Sequence, residues 1–270
     1  MIERSQFISI KNSTVFYRVS GEGKAVVLIH GFAEDGNIWN ETIKKLENDF
    51  KVIIPDTTGS GKSSILKNEN DEVSIDDYAE VIMAVLKNES IDSCTVIGHS
   101  MGGYIALAIA EKHPEILNGF GFFHSTAFAD SEERKQTRLK SIEFIQTHGA
   151  KSFLKTSMPG LFGERFKQEH SNVVEELINA TSYFNGEALI QYQKAMMNRI
   201  ERAKVLLTTK VPVLFIIGEK DQAVPLQQSL VQCHLPSQAS VHLLPDAAHM
   251  GMLEDGEFCT EIIMSFLNSI

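Results

Sequence analysis

Cysteine and long apolar runs are both scarce in this 270-residue sequence. The three cysteines, Cys94, Cys233 and Cys259, are an odd number without CxxC spacing, which is atypical of a disulfide scaffold or a zinc site. No apolar stretch approaches the ~18 residues that a membrane-spanning helix needs. The first residues also lack the basic head and apolar centre of a signal peptide. We therefore expect a soluble cytoplasmic protein with no membrane partner.

Basic residues are outnumbered by acidic ones. Lys and Arg together number 25, Asp and Glu number 35, and the formal net charge is -10. Proteins that bind nucleic acids gain affinity from clustered Lys and Arg that neutralise phosphates, so this balance argues against a nucleic-acid partner. The 43% hydrophobic and 22% charged content is that of an ordinary globular chain.

Eight short β-type runs follow one another along the chain. The first two, Phe7 to Lys11 and Thr14 to Val19, alternate in polarity like an antiparallel pair. Six later runs are nearly all apolar and begin at Ala25, Lys51, Cys94, Asn118, Val211 and Ser240. Strands that are apolar on both faces are typical of a parallel sheet covered by helices on both sides. The pattern predicts an α/β fold with a mostly parallel eight-stranded sheet.

Helical stretches separate the later strands, and one connection is far longer than a single crossover needs. Ser74 and Asp77 form a capping pair at the start of one helix, and Met101 to Lys112 forms the next. Residues 125–209 then hold several helical stretches between two strands. A helical insertion at one strand edge is usually a lid over a binding site. We predict a core of residues 1–124 and 210–270 and a helical cap of residues 125–209.

The most specific motif is a G-x-S-x-G sequence, Gly98 to Gly102, between the strand CTVI and the helix that begins at Met101. A serine at so sharp a strand-to-helix turn needs small neighbours two residues away on either side, and Gly98 and Gly102 meet that need. The helix N-terminus offers free N–H groups to a developing oxyanion. Ser100 is therefore a candidate nucleophile.

In its order of motifs the chain resembles the α/β-hydrolase family, specifically the small-lid serine hydrolases and esterases with a GHSMGG elbow. The motifs are HGF at residues 30–32, DTTGSGKSS from Asp56, GHSMGG from Gly98, GEKD ending at Asp221 and AAHMGMLED around His249. Together they extend over almost the whole chain. The resemblance implies the α/β-hydrolase fold with an inserted helical cap.

The resemblance also implies a catalytic triad in the chain order serine, acid, histidine. Of the histidines that follow Ser100, His249 lies in a loop just past the last strand and is the predicted base, while His124 could line the pocket. Asp221 matches the position of the family acid, with Glu219 as its rival. The acidic residues nearer His249, which are Asp246, Glu254 and Asp255, are expected to serve turns or helix caps.

Two main-chain amides are implied as the oxyanion hole, those of Phe32 and Met101. His30 is expected to brace the Phe32 loop and not to transfer protons. No cofactor or metal is expected: Asp56 stands where a phosphate-binding loop needs glycine, and no histidine or carboxylate set has metal-ligand spacing on one helix.

We therefore expect a serine hydrolase that cleaves a small to medium carboxylic ester through an acyl-enzyme, with that ester as its small-molecule partner. A carbon–carbon bond hydrolase, a lactonase or a perhydrolase would use the same triad, and a small-molecule receptor with slow turnover is a further alternative.

The predicted cap carries much apolar bulk, and we expect part of it to pack internally and part to line an apolar acyl pocket. These residues are Phe128, Phe144, Phe153, Met158, Leu161, Phe162, Phe184, Met196 and Met197. Strongly acidic substrates are expected to be poor, because the segment shows no evident basic cluster aimed inward.

Overall fold

Eight strands form one sheet in the computed structural model, which describes residues 3–68, 72–181 and 183–270. The strands are β1 (Arg4–Ile10), β2 (Ser13–Ser20), β3 (Lys24–Ile29), β4 (Phe50–Pro55), β5 (Cys94–His99), β6 (Leu117–Phe123), β7 (Val213–Gly218) and β8 (Ala239–Leu244). Their order across the sheet is β1-β2-β4-β3-β5-β6-β7-β8. β2 pairs antiparallel with β1 and with β4, and the remaining pairs are parallel. The prediction of a mostly parallel eight-stranded sheet is confirmed.

Helices cover both faces of this sheet. They are α1 (Asn40–Leu46), α2 (Ile75–Asn88), α3 (Met101–Lys112), α4 (Glu132–His148), α5 (Ala150–Ser157), α6 (Glu164–Glu169), α7 (Ser171–Ala180), α8 (Gly186–Met197), α9 (Ala203–Thr208), α10 (Leu226–Cys233), α11 (Gly251–Glu254) and α12 (Gly256–Asn268). Alternate residues of a strand point to opposite faces. Val27 and Ile29 of β3 accordingly pack in one core with α2 and α3, whereas Val26 and Leu28 pack in a second core with α1 and α12.

The helix starts predicted from local sequence are present. Ser74 accepts a hydrogen bond from the N–H of Asp77, and the Asp77 carboxylate accepts one from the N–H of Ser74, which completes a capping box at α2. α3 begins at the residue after Ser100 and ends at Lys112, one residue before the His113–Pro114 pair. Proline disfavours helix at the residue before it, which accounts for this end.

The long connection between β6 and β7 is helical, as its sequence suggests. Its described residues include α4 to α9. Three of these helices, α5, α6 and α9, are at most eight residues long. α8 contacts the loop after β4, where the Tyr192 hydroxyl lies 2.8 Å from Ser60 Oγ and donates to the Thr58 carbonyl at 2.8 Å. The division into a core and a separate cap stays a prediction.

The parallel strands bring five loops to one edge of the sheet. The segments that hold Gly31, Ser100, His124, Asp221 and His249 follow β3, β5, β6, β7 and β8 respectively. In open α/β sheets, ligands bind at this carboxyl edge. Among the described residues, no helix combines the length and the apolar character that crossing a membrane requires.

Candidate active site

The turn between β5 and α3 is tight and holds Ser100 in a strained conformation. The serine has φ 48° and ψ −113°, angles that residues with a side chain rarely adopt. A Cβ atom added at Gly98 would lie 2.1 Å from the carbonyl oxygen of Gly102, and one added at Gly102 would lie 2.4 Å from that of Ile29. The turn therefore requires glycine at both positions, as the motif predicted.

Asp221 and His249 are in direct contact. His249 Nδ1 lies 2.7 Å from Asp221 Oδ2, and both side chains are almost fully buried. The other carboxylate oxygen, Oδ1, accepts from the N–H groups of Ala223 at 2.7 Å and Val224 at 2.9 Å. Burial alone would raise the pKa of Asp221, but the neighbouring His249 and these amides lower it below its usual range. Asp221 therefore stays ionised against the ring of His249.

The rival acids do not reach His249. Glu219 follows β7 but makes no ion pair among the residues that the structure describes. Asp246 is exposed and lies 3.7 Å from Arg165. Glu254 instead supports the loop that carries His249, because its two carboxylate oxygens accept from the N–H groups of Gly163, Ala248 and Met250. For Glu254, the predicted role in a turn is confirmed.

A second histidine lies near Asp221. His124 Nδ1 is 3.7 Å from Asp221 Oδ2, but it accepts a hydrogen bond from the N–H of Gly218 at 3.0 Å. Burial holds the pKa of His124 well below its usual value despite the charge of Asp221. A neutral ring whose Nδ1 accepts cannot donate to the carboxylate, so Asp221 Oδ2 is left to His249. His124 does not line the cavity described below, contrary to the sequence-based expectation.

The main-chain amides of Phe32 and Met101 are free in the part of the chain that the structure describes, where neither donates a hydrogen bond. The Phe32 loop lies close to the elbow, since a Cβ added at Gly31 would be 3.2 Å from Ser100 Cβ. His30 fixes this loop: its Nε2 accepts from the N–H of Thr57 at 2.9 Å, and its Nδ1 lies 2.8 Å from the Gly31 carbonyl. Two unused donors thus flank the serine.

Sequence reasoning missed a buried ion pair beneath these loops. Glu34 Oε2 accepts from the N–H of Gly31 at 2.7 Å and lies 2.9 Å from His99 Nδ1. The opposite ring nitrogen, His99 Nε2, lies 2.8 Å from the main-chain carbonyl of His249. Both neighbours of the ring are acceptors, so each nitrogen carries a hydrogen and the ring is an imidazolium. The pair joins the Phe32 loop, the elbow and the His249 loop.

The pKa values of this pair shift in opposite directions. Burial would lower the pKa of His99, but the Glu34 carboxylate and the His249 carbonyl raise it above its usual value. Burial would raise the pKa of Glu34, but the charge of His99 and the N–H of Gly31 lower it. Each charge therefore stabilises the other at a deeply buried position.

A cavity of about 200 Å³ contains both Ser100 and His249. One wall is apolar and includes Phe32 together with four residues of the predicted cap, Phe153, Met158, Leu161 and Met196. The other wall is polar and belongs to α4 and α8, with Arg134, Thr137, Arg138, Ser141 and Gln193. The expectation that no basic residues face inward is wrong. The residues from Ser131 to Lys140 look like a solvated charge run in sequence, but Arg138 is buried.

The described residues contain no group of three or more His, Cys, Asp or Glu side chains that could hold a metal ion. The chemistry available at the cavity is that of the serine, the histidine–aspartate contact and the free amides.

Comparison with known proteins identifies the family. A family model described as the alpha/beta hydrolase fold matches residues 24–256. The chain belongs to the α/β-hydrolase family. One curated relative of this hydrolase, named as the carbamate hydrolase RutD of Serratia proteamaculans, is 25% identical over 245 residues, which cover 90% of each chain.

Solved α/β-hydrolase structures have the same fold. A thermophilic esterase from Thermogutta terrifontis superposes with a TM-score of 0.91 at 24% identity and covers 98% of each chain. The enol-lactonase from Burkholderia xenovorans LB400 has a TM-score of 0.89 at 20% identity, covering 97% of this chain and all of that one.

The buried pair yields a prediction about the stability of this hydrolase. Glu34→Gln should lower the free energy of unfolding at pH 6 by on the order of 3 kcal/mol, because it leaves the His99 charge buried without its partner. The raised pKa of His99 means that its contribution is complete below its unfolded pKa of about 6.5 and is lost as the pH rises through the folded value. The difference between wild type and variant should therefore shrink as the pH is raised from 6 through the folded pKa of His99.

Urea unfolding followed by fluorescence of Trp39, the single tryptophan and a buried one, measures this difference. Glu175→Gln on the exposed face of α7 is the matched control and should change stability by less than about 0.5 kcal/mol. Equal effects of the two variants, or an effect of Glu34→Gln that does not depend on pH, would contradict the pairing.

Proposed function

We propose that this α/β-hydrolase cleaves small to medium carboxylic esters through an acyl-enzyme on Ser100, with His249 as base and Asp221 as the orienting acid. The observation that carries the proposal is the 2.7 Å contact between His249 Nδ1 and Asp221. It commits Nδ1 to the carboxylate and leaves Nε2 for the serine, which lines the same cavity.

In the first half of the proposed reaction, Ser100 Oγ attacks the acyl carbon while His249 Nε2 takes its proton. The imidazolium that forms is stabilised by the ionised Asp221. The negative charge that develops on the carbonyl oxygen is met by the N–H groups of Phe32 and Met101, which have no other partner among the described residues. His249 then gives the proton to the leaving alcohol, and the acyl group stays on Ser100.

In the second half, a water molecule takes the place of the alcohol. His249 removes one of its protons, the hydroxide attacks the acyl-enzyme, and the same two amides hold the second oxyanion. Collapse releases the carboxylic acid and returns the proton from His249 to Ser100 Oγ. Every proton transfer in the proposed reaction uses Nε2 of His249, so the reaction requires no cofactor.

Lactone hydrolysis is a second candidate, because a lactone is a cyclic ester and one structural neighbour is an enol-lactonase. Residues 125–209 are proposed to act as the cap, since five of their apolar side chains line the cavity: Phe153, Leu154, Met158, Leu161 and Met196. A cytoplasmic location is also proposed, and it is supported by three cysteines that are all free thiols.

The nucleophile can be tested directly. A fluorophosphonate probe should label Ser100 alone, and Ser100→Ala should abolish labelling and lower kcat on p-nitrophenyl butyrate by about 10⁴-fold or more. Ser237→Ala, which lies outside the cavity, should change neither. Labelling that persisted in Ser100→Ala would remove this serine from the mechanism. A wild type that releases product only once per molecule would favour the receptor alternative.

The acid is tested by a matched pair of amide substitutions. Asp221→Asn keeps the shape of the side chain but removes the charge that holds the tautomer of His249, and comparable changes cost about 10⁴ in kcat. Glu219→Gln should cost far less, because Glu219 has no contact with the ring. Steady-state kinetics of both variants on one ester decides the assignment, and a reversed order of losses would reject Asp221.

The cavity also sets an expectation for acyl length. Burial of each methylene against the apolar wall contributes up to ~0.8 kcal/mol, or about fourfold in kcat/KM. At roughly 30 Å³ for each water-sized group, 200 Å³ holds about seven such groups. Among p-nitrophenyl esters, kcat/KM should therefore rise from acetyl to butyryl or hexanoyl and then fall. A flat profile would indicate that the apolar wall serves packing and not recognition.

A further inference from the structure

Two arginines of α4 form part of the wall of the cavity that holds Ser100 and His249. Arg134 and Arg138 are one helical turn apart, so both project from the same face of the helix. Arginine is a costly residue to bury because its guanidinium stays charged at every physiological pH. The hydrogen-bond and ion-pair partners of these two side chains therefore indicate which kind of ligand this wall can bind.

The first observation is an excess of positive charge in a buried cluster. Asp130 accepts from Arg138 Nε through Oδ2 and from Arg199 Nη1 through Oδ1 at 2.6 Å. All three side chains are at least 90% buried. Among the residues that the structure describes, no other carboxylate lies within ion-pair distance of either arginine. One carboxylate thus balances two guanidinium groups, and one positive charge is left over.

The surplus charge is on the cavity side of the cluster. Arg199 does not line the cavity: it donates to the carbonyls of Phe128 and Met196 and lies over the ring of Tyr104. Arg138 lines the cavity, where Nη1 donates to Gln193 Oε1 at 3.0 Å. Its Nη2 donates to no described residue, yet it is not a fully buried atom. This nitrogen therefore keeps some accessible surface on a residue that lines the cavity.

The second observation is that Arg134 and Gln193 on this wall also offer N–H donors. Arg134 donates through Nη2 to the Ala223 carbonyl at 2.9 Å and has no carboxylate partner in the described parts of the chain. Gln193 Oε1 is taken by Arg138, so its amide Nε2 is the atom left for a ligand. Glu34, the one carboxylate among the residues that line the cavity, is already in a buried ion pair. The N–H donors and the surplus positive charge of this wall therefore match a group that accepts hydrogen bonds and carries negative charge.

We infer that Arg134, Arg138 and Gln193 form a carboxylate-binding subsite, and that the natural substrate is an ester or lactone that carries a free carboxylate. The planar guanidinium fork suits a carboxylate better than it suits a neutral carbonyl. The inference rests on the proposed function for the ester, while the subsite itself is defined by the charges and donors of this wall. The inferred substrates are acidic, whereas the sequence led us to expect that strongly acidic substrates would be poor.

The size of the cavity limits the distance between the two ends of the substrate. A volume of about 200 Å³ that includes the serine, the apolar wall and the arginines admits a short chain between ester and carboxylate. Half esters of four- and five-carbon dicarboxylic acids are therefore suitable probes. In these compounds the carboxylate would contact the arginines while the ester carbonyl approaches Ser100.

The test compares substrates of matched shape. Monoethyl succinate and monoethyl glutarate are paired with ethyl 4-methylpentanoate and ethyl 5-methylhexanoate, in which a branched methyl pair replaces the carboxylate oxygens. Ethanol release gives kcat/KM for each ester. The wild type should prefer the half esters by about tenfold or more, in the range of a charge-assisted hydrogen bond. The preference should fall with added salt.

Substitutions assign this preference to the wall. Arg134→Met and Arg138→Met should each reduce the ratio of half ester to neutral ester by about tenfold, mainly through KM, because the carboxylate is remote from the reacting bond. Arg138→Met leaves Asp130 paired with Arg199, so no orphan charge is created. Arg138→Lys should restore part of the ratio. Lys140→Met removes the same charge from the exposed side of α4 and should leave the ratio unchanged.

Binding of glutarate, measured by titration calorimetry, separates the subsite from the chemistry. Binding to wild type that weakens about tenfold in Arg138→Met but not in Lys140→Met supports the subsite even if no ester is cleaved, an outcome that would reject the proposed function alone. Hydrolysis of neutral esters with no preference for half esters, or a preference that both arginine variants retain, overturns the subsite and leaves the proposed function intact. If the wild type neither cleaves these esters nor binds glutarate, both the subsite and the proposed function are overturned.

Discussion

One buried carboxylate, that of Glu34, determines how the loops at the carboxyl edge of the sheet are placed relative to one another. It contacts the N–H of Gly31 in the loop after β3 and the ring of His99 at the end of β5, and that ring reaches the carbonyl of His249 after β8. Parallel strands bring these loops to the same edge but do not set their spacing. Removing two charges from water is costly, and the pair is stabilised because Glu34 Oε2 and both ring nitrogens of His99 have hydrogen-bond partners.

The ring of His249 is consequently fixed from two independent directions. His99 holds its main chain, and Asp221 holds its side chain through Oδ2. The Asp221 carboxylate is itself fixed, because Oδ1 is occupied by two main-chain amides of the turn that follows it. His124 stays neutral and takes its hydrogen bond from Gly218, so it does not compete for the carboxylate. His249 thus has one orientation and one tautomer, as the proposed proton transfer from Ser100 would require.

Features that depend on local sequence could be predicted, and those that depend on distant contacts could not. The strands, the Ser74 capping box and the glycines around Ser100 each follow from a few adjacent residues. Glu34 and His99 are 65 positions apart, so no short sequence pattern contains both. Arg138 was missed for a related reason, because most residues near it in α4 are polar and the side chains that pair with it, Asp130 and Gln193, come from outside that helix.

The overall charge of the chain is therefore a poor guide to the charge of its cavity. The net charge of -10 is spread over exposed carboxylates that are screened by water and salt, whereas the guanidinium of Arg138 lies where screening is weak. Because Asp130 and Arg199 hold Arg138 in place, its donors are already oriented before any ligand enters. Binding of an anion there therefore does not carry the entropy cost of ordering a long flexible side chain. A rigid side chain cannot adjust to ligands of other shapes or charges. The wall that holds Arg138 should therefore discriminate between charged and neutral substrates more sharply than the apolar wall discriminates between acyl lengths.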